Sequence, residues 1–311
     1  MGKTYYLDRL IQGGDFRFDQ LSMKDIDNAS IAPLLKASRS ELAEQEICLF
    51  HRDVSNGDEY FDSLHHFVRK NLSTSNAAPV VRFADGEYAF YSNGLECNGL
   101  YQQAESVEAI KKAMSLHVDA LKYLCESGRL ALLVNHRNAD TIKKNVLSFF
   151  RRPKSDDSAS KFIELLFDHN LALTRENYLP FYVVYAYLTS KKFSQLVEGK
   201  RLCIINSECR MASVHQWFER LTSRPVISFT EIPASYVATR WGEIKKDVLS
   251  RIPQDTDLCL VGAGAGSLLV CVDVARQFGI PAIDAGHVLN MMNGLEEKSN
   301  GPRLYTIHKN E

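Results

Sequence analysis

The feature that most constrains the fold is a regular alternation of strand-like and helix-like segments after residue 200. Apolar runs lie at 202–205, 225–229, 258–261 and 281–284, with amphipathic stretches between them at 211–221, 241–249 and 267–278. Continuous apolar runs are typical of strands that are buried on both faces of a parallel sheet. The pattern predicts an α/β fold: a Rossmann-like, mostly parallel sheet with helices on both faces.

The N-terminal quarter of the chain has a different pattern. It is polar, and its apolar residues recur at helical spacing over 26–42 and 60–72. A turn-rich connector rich in Ser, Asn and Ala then ends at Pro79. We therefore expect a helical N-terminal extension over residues 1–76 and one Rossmann-like domain over residues 77–311.

Composition excludes several classes of protein. The formal net charge is -1, so no strong basic field is available for nucleic acid. Seven cysteines without a C-x-x-C pair indicate reduced core thiols and a cytoplasmic location. No secretory signal and no membrane-spanning run is expected, while peripheral membrane contact and homo-oligomerisation are left open.

The segment that follows the connector combines a strand with charged residues. Val80, Val81 and Phe83 form an apolar run around Arg82, and Asp85-Gly86-Glu87 comes directly after it. Two carboxylates one residue apart share one face of an extended segment and suit Mn²⁺ or Mg²⁺, with Arg82 facing phosphate charge. On spacing alone, an ordinary Asp-Gly turn is the stronger interpretation, with the strand breaking at Gly86.

A second candidate site is the glycine-rich loop between the strand at 258–261 and the helix at 267–278. Gly262, Gly264 and Gly266 would let a phosphate approach the backbone, and Ser267 opens the helix whose N–H groups would face it. Asp284 follows about twenty residues later, as in dinucleotide-binding folds. An enzyme dependent on NAD or S-adenosylmethionine is therefore an alternative, although the loop comes unusually late in the chain. Glycines that serve only close strand–helix packing are a further alternative.

Taken together, these segments resemble the GT-D type of bacterial glycosyltransferase. The matching elements are R-F-A-D-G-E at 82–87, L-T-R at 173–175, E-I-P through W-G-E-I at 231–244, the glycine loop, and A-I-D-A-G-H at 282–287. The resemblance covers residues 80–292. Three features depart from the family pattern: Ala84 replaces a glycine, Tyr236-Val237 replaces Asn-Ala, and an acidic residue is missing after His287.

The resemblance implies a metal-dependent transfer of sugar from a nucleotide-sugar donor, typically a UDP-sugar. Asp85 and Glu87 would hold Mn²⁺ or Mg²⁺ and the donor, and Arg82 the phosphates. We expect Arg175 to assist Arg82, and Asp284 and His287 to orient the donor or act as the base. The expected acceptor is a glycan, a polysaccharide or a lipid-linked glycan. A non-catalytic module of polysaccharide assembly is the remaining alternative.

Overall fold

The computed structural model describes residues 57–97, 101–133, 158–174 and 176–294. The helices are α1 (Gly57–Thr74), α2 (Asp85–Tyr91), α3 (Val107–Ser127), α4 (Ser158–Asp168), α5 (Phe181–Leu188), α6 (Lys191–Leu196), α7 (Met211–Arg220), α8 (Val237–Ser250), α9 (Ser267–Phe278) and α10 (His287–Met292). The strands are β1 (Ala78–Phe83), β2 (Glu96–Cys97), β3 (Tyr101–Gln102), β4 (Arg129–Leu132), β5 (Tyr178–Pro180), β6 (Arg201–Asn206), β7 (Val226–Glu231), β8 (Leu258–Val261) and β9 (Pro281–Asp284). One 3₁₀ turn, Gly264–Gly266, lies between β8 and α9.

Seven strands form a single parallel sheet in the order β5-β4-β1-β9-β8-β6-β7, while β2 and β3 form a separate antiparallel hairpin. The first and last described strands of the sheet are neighbours, since Val80 of β1 pairs with Ile283 of β9. All residues of β1, β8 and β9 are buried, which explains their continuous apolar sequences. The N-terminal and C-terminal motifs therefore end at adjacent positions on one edge of the sheet.

Helices cover both faces of this sheet. Right-handed connections place α3, α8 and α9 on one face, where they pack against one another, and α7 on the opposite face, where it contacts α10. Segments that follow β1 and β8 thus lead to one face, whereas those that follow β6 and β9 lead to the other. Such a divergence opens a crevice at the carboxyl edge of a doubly wound sheet, where ligands bind in this architecture.

The predicted fold class is confirmed, and three elements have the predicted bounds: β8, β9 and α9. Three local predictions were wrong. The aromatic stretch at 178–188, whose sequence suggests a single helix, begins as the strand β5 before α5 starts. The stretch at 171–174, part of a segment whose sequence suggests a short strand, forms no regular strand, and α2 replaces the expected turn at Gly86. Of the N-terminal extension, only the helix α1 and the start of the connector are described; α1 packs on α5, β1 and β9. The helix expected within 26–42 lies outside the described residues, as does the helix that the sequence suggests at 141–150.

Candidate active site

Arg82 and Asp284 form a buried ion pair at the end of β1 and β9. The Arg82 Nη2 atom donates to Asp284 Oδ1 over 2.9 Å, and Arg82 Nε donates to the Asp284 carbonyl over 3.0 Å. The backbone N–H of Arg82 donates to Asp284 Oδ2 over 3.2 Å. Burial would lower the pKa of Arg82, but attraction to Asp284 outweighs it, so that pKa lies above its ordinary value. The guanidinium that the sequence assigned to phosphate is thus bonded to the neighbouring strand.

Aromatic rings complete the environment of this guanidinium. It lies 4.8 Å from the ring centre of Tyr185 and 5.3 Å from that of Phe181, both on α5. Cation–π attraction of this kind is strengthened when the charge is shielded from water. The aromatic helix is therefore part of the core and helps to hold Arg82.

Gly286 is required by the position of Arg82. It has φ +39°, and a Cβ atom built on it would lie 1.8 Å from Arg82 Nη2. Any side chain at this position would displace the guanidinium from Asp284. The glycine of the A-I-D-A-G-H segment is therefore explained by the ion pair, and it lies two residues after β9, directly before His287.

Glu87 lies in the first turn of α2, where it caps the helix. Its Oε2 atom accepts a hydrogen bond from the Ala84 N–H over 2.9 Å, which is the half of a capping box that is possible with alanine at the N-cap. Burial, and next the negative charge of Asp284, raise the pKa of Glu87 to about 7, against opposing effects of the Ala84 N–H and Arg82. Half-buried Glu87 is therefore a carboxyl group near Asp284 that a cation would stabilise in its charged form.

Asp85 is the first residue of α2, and its side chain is exposed. In a helix, residues two apart project about 200° from each other, so Asp85 and Glu87 do not share a face as they would in an extended segment. Within the described ranges, no three His, Cys, Asp or Glu side chains form a group that could hold a metal ion. One of these carboxylates at a time can therefore face a hard cation, whose shell phosphate oxygens and water would complete.

The glycine turn after β8 is held by bonds within the protein. The N–H of Ala263 donates to Ser267 Oγ over 3.1 Å, and the N–H of Gly266 donates to the Ala263 carbonyl over 3.0 Å. A Cβ on Gly266 would lie 2.7 Å from Val237 Cγ1, so this glycine permits close packing of α8. Ser267 is buried, and its hydroxyl closes the turn by accepting the Ala263 N–H.

Two further glycines shape the turn toward the crevice. A Cβ on Gly262 would lie 2.9 Å from both Asn206 Oδ1 and Leu289 Cδ1, so the segments after β8, β6 and β9 approach one another there. Gly264 has φ +54°, a left-handed conformation that favours glycine. The turn therefore lies where loops from both faces of the sheet meet.

The remaining predicted residues have different outcomes. His287 opens α10 directly after Gly286 and is half-buried at the same edge of the sheet. Arg175 lies outside the described residues. The structure thus brings Asp85, Glu87, Asp284 and His287 to one edge, beside the glycine turn, as strand order requires.

Sequence reasoning missed Gln103, which follows the β2–β3 hairpin. It is 4% exposed, and its Oε1 atom accepts the N–H of Ala265 over 3.0 Å. Its Nε2 atom is buried and has no hydrogen-bond partner among the described residues. A buried donor without a partner costs about 1–3 kcal/mol. No motif surrounds Gln103, so only its contact with the glycine turn could have identified it.

The fold is that of a doubly wound α/β protein, with carboxylates and a glycine turn at the carboxyl edge of its sheet. The family described as the GT-D fold-like domain matches residues 61–292. The chain therefore belongs to the GT-D fold-like family and is a glycosyltransferase by class.

Two solved structures are similar to the chain. One is described as a selenomethionine-substituted domain of unknown function 1792, with 15% identity, a TM-score of 0.43, and coverage of 81% of this chain and 83% of that one. The other is described as the highly conserved domain of unknown function 1792 with a distinct glycosyltransferase fold, with 17% identity, a TM-score of 0.45, and coverage of 74% and 83%. A comparison with curated proteins gives no match. Among the described helices, none is long and apolar enough to cross a membrane.

Proposed function

We propose that this glycosyltransferase moves a sugar from a nucleoside diphosphate sugar, with a UDP-sugar as the expected donor, to a glycan or lipid-linked glycan. The observation that carries this proposal is the position of Asp85 and Glu87. They follow β1 at the carboxyl edge, on a helix that packs against the glycine turn after β8. A diphosphate between the carboxylates and the turn would meet a cation on one side and the start of α9 on the other.

Asp85 and Glu87 are the residues that would hold Mn²⁺ or Mg²⁺. When bound, the ion supplies Lewis-acid neutralisation of the diphosphate leaving group. The half-buried position and raised pKa of Glu87 favour this assignment, since a nearby cation offsets the repulsion from Asp284. Glu87 is the direct ligand in this proposal, and exposed Asp85 contributes its negative charge from the solvent side of α2.

Arg82 and Asp284 act mainly by positioning in this proposal. Their mutual bonds fix the ends of β1 and β9, from which α2 and His287 start. The positive charge of Arg82 also offsets the carboxylates around it. The sequence-based role of Arg175 in binding phosphate stays a prediction.

His287 is the better candidate for the base that takes a proton from the acceptor hydroxyl. The Asp284 carboxylate already accepts two hydrogen bonds from Arg82, whereas His287 begins a new helix at the crevice. An imidazole nitrogen can accept a proton near neutral pH. In the dinucleotide-binding alternative, Asp284 would have to bind a ribose, and its bonds to Arg82 weigh against that role.

The proposal is tested by measuring hydrolysis of UDP-sugar donors with and without Mn²⁺. We expect metal-dependent turnover in the wild-type protein and a loss of about 100-fold or more in Glu87→Gln, since electrostatic stabilisation of a leaving group contributes that much. Gln keeps an acceptor for the Ala84 N–H, so the helix cap survives. Glu219→Gln, at an exposed acid of α7, is the matched control. Equal, metal-independent rates in all three proteins would refute the proposal.

A further inference from the structure

The side chain of Gln103 has one orientation that its surroundings permit. The Ala265 N–H can only donate, so the amide atom that faces it must be the acceptor Oε1. Turning the amide over would place two N–H donors against each other. The Nε2 group therefore points away from Ala265, as a buried donor without a partner in the described part of the chain.

Gln103 also has a fixed backbone. Its N–H donates to the Leu95 carbonyl over 2.7 Å, which closes the β2–β3 hairpin. The hairpin packs on α2, and α2 packs on the 3₁₀ turn that contains Ala265. The unpartnered donor thus lies beside both the helix of Asp85 and Glu87 and the glycine turn.

The surroundings select an anion as the partner of this donor. The twelve-residue helix α9 starts directly after the turn, and its N-terminal N–H groups favour negative charge. On the other side, α2 carries the two carboxylates proposed to bind a cation. Between a cation and a helix N-terminus, the part of a nucleotide-sugar that fits is the diphosphate, whose oxygens accept hydrogen bonds.

We propose that Gln103 is a donor-binding residue whose Nε2 group bonds to a phosphate oxygen of the nucleoside diphosphate sugar. This inference rests on the proposed function and adds a residue to it. Because the same amide holds Ala265 through Oε1, binding of the diphosphate is coupled to the conformation of the glycine turn. A nucleoside diphosphate sugar that reaches the turn supplies the hydrogen-bond acceptor that Gln103 Nε2 lacks. Its binding stabilises the turn at the same time.

Two substitutions separate this role from a structural one. Gln103→Glu keeps an acceptor for the Ala265 N–H but replaces the donor with an oxygen that repels phosphate. Gln103→Met is similar in size and removes both interactions. Gln195→Glu, at an exposed position of α6, makes the same change in charge away from the crevice.

The test is calorimetric titration of each protein with UDP, GDP and ADP, and with the corresponding nucleosides, in the presence of MnCl₂. For the diphosphate that the wild-type protein binds most tightly, we expect Gln103→Glu to weaken affinity about tenfold or more. Gln103→Met should weaken affinity about fivefold or more, and Gln195→Glu should have no effect. Affinity for the nucleoside should change by less than about threefold in every variant.

The outcomes distinguish the two proposals. If the wild-type protein binds a diphosphate and Gln103→Glu binds it equally well, the inference about Gln103 is overturned while the proposed function stands. If Gln103→Met binds the diphosphate more weakly but Gln103→Glu does not, the inference about Gln103 is also overturned. That result would mean that Gln103 acts only by holding the glycine turn. If the wild-type protein binds none of the three diphosphates, the proposed function fails and the inference fails with it.

Discussion

The charged residues of the R-F-A-D-G-E segment divide into two groups with opposite environments. Arg82 points into the protein, where Asp284, Phe181 and Tyr185 surround its guanidinium. Asp85 and Glu87 lie three and five residues later on α2, one exposed and the other half-buried beside the crevice. A short charged motif can thus place one residue in the core and two at the carboxyl edge of the sheet, and its residues need separate tests.

The largest effect is expected from breaking the buried pair. Arg82→Met leaves the Asp284 carboxylate buried and uncompensated, so we expect a loss of about 3–5 kcal/mol in the free energy of unfolding. Urea unfolding followed by circular dichroism measures it. Adding Asp284→Asn to Arg82→Met should recover part of the loss, because the unpaired charge is then removed.

The exposed pair of Arg251 and Asp247 provides the comparison for this substitution. These side chains are 3.0 Å apart on the surface around the end of α8. Arg251→Met should cost less than about 1 kcal/mol, since exposed ion pairs are weak. Equal losses at Arg82 and Arg251 would contradict the structural role of the buried pair.

The next effect should come from Gly286→Ala. The new methyl group would collide with Arg82 Nη2, and φ +39° is unfavourable for alanine. We expect a loss of about 2–3 kcal/mol in the free energy of unfolding. Gly199→Ala is the control: φ is +66° there, but the space around Cβ is open, so only about 1 kcal/mol should be lost. A smaller loss at Gly286 than at Gly199 would mean that Arg82 moves aside freely.

The His117 side chain bonds to α8, the helix that packs on the glycine turn. It is buried, its Nδ1 lies 2.9 Å from the Tyr91 hydroxyl, and its Nε2 lies 2.9 Å from the carbonyl of Ala238 in the first turn of α8. Burial lowers its pKa to about 4, against the effect of the bond to Ala238. The folded state therefore binds fewer protons than the unfolded state, and stability is lost as pH falls from 6.5 toward 4.

The expected loss from His117 is about 2–3 kcal/mol over this pH range. Chemical unfolding at several pH values should show a shallower acid slope in His117→Gln than in the wild-type protein. His215→Gln, at an exposed position of α7, should leave the slope unchanged. An unchanged slope in His117→Gln would contradict a neutral buried imidazole.

The smallest stability effect should come from Glu87→Gln, measured without divalent cations. The folded pKa of Glu87 is about 7, above its ordinary value of 4.5, so ionisation of Glu87 opposes folding. The loss of stability caused by this ionisation is absent below pH 4.5, grows as pH rises, and reaches its full size above pH 7. Glu87→Gln should therefore be stabilising by about 1 kcal/mol at pH 8, after allowance for solvent screening, and neutral at pH 4.5. Equal effects at both pH values would contradict the raised pKa.

Local sequence patterns predicted much of the fold. Continuous apolar runs located β8 and β9, and the amphipathic stretch at 267–278 located α9, which ends at Gly279 with φ +66°. The position of the motifs at the carboxyl edge of the sheet also followed from these patterns, because the motif residues lie at or just after the ends of strands. The fold class is therefore readable from local periodicity, while the site remains a prediction.

The pairing of Arg82 with Asp284 was not readable in this way. The two residues are 202 positions apart, and their contact depends on β1 lying next to β9 in the sheet. Strand order is set by the whole topology and could not be read from local patterns. The guanidinium of Arg82 was therefore assigned to phosphate instead. The helix after β1 was missed for a local reason, since Glu87 caps Ala84 and Asp-Gly was interpreted as a turn.

The most direct measurement is Mn²⁺-dependent binding of UDP to the double variant Asp85→Asn/Glu87→Gln, combined with thermal unfolding of the same samples. The division between structural and ligand-facing charges predicts that the variant unfolds within about 3 °C of the wild-type protein but binds UDP at least about tenfold more weakly. A folded variant that binds UDP with unchanged affinity and unchanged dependence on Mn²⁺ would contradict it.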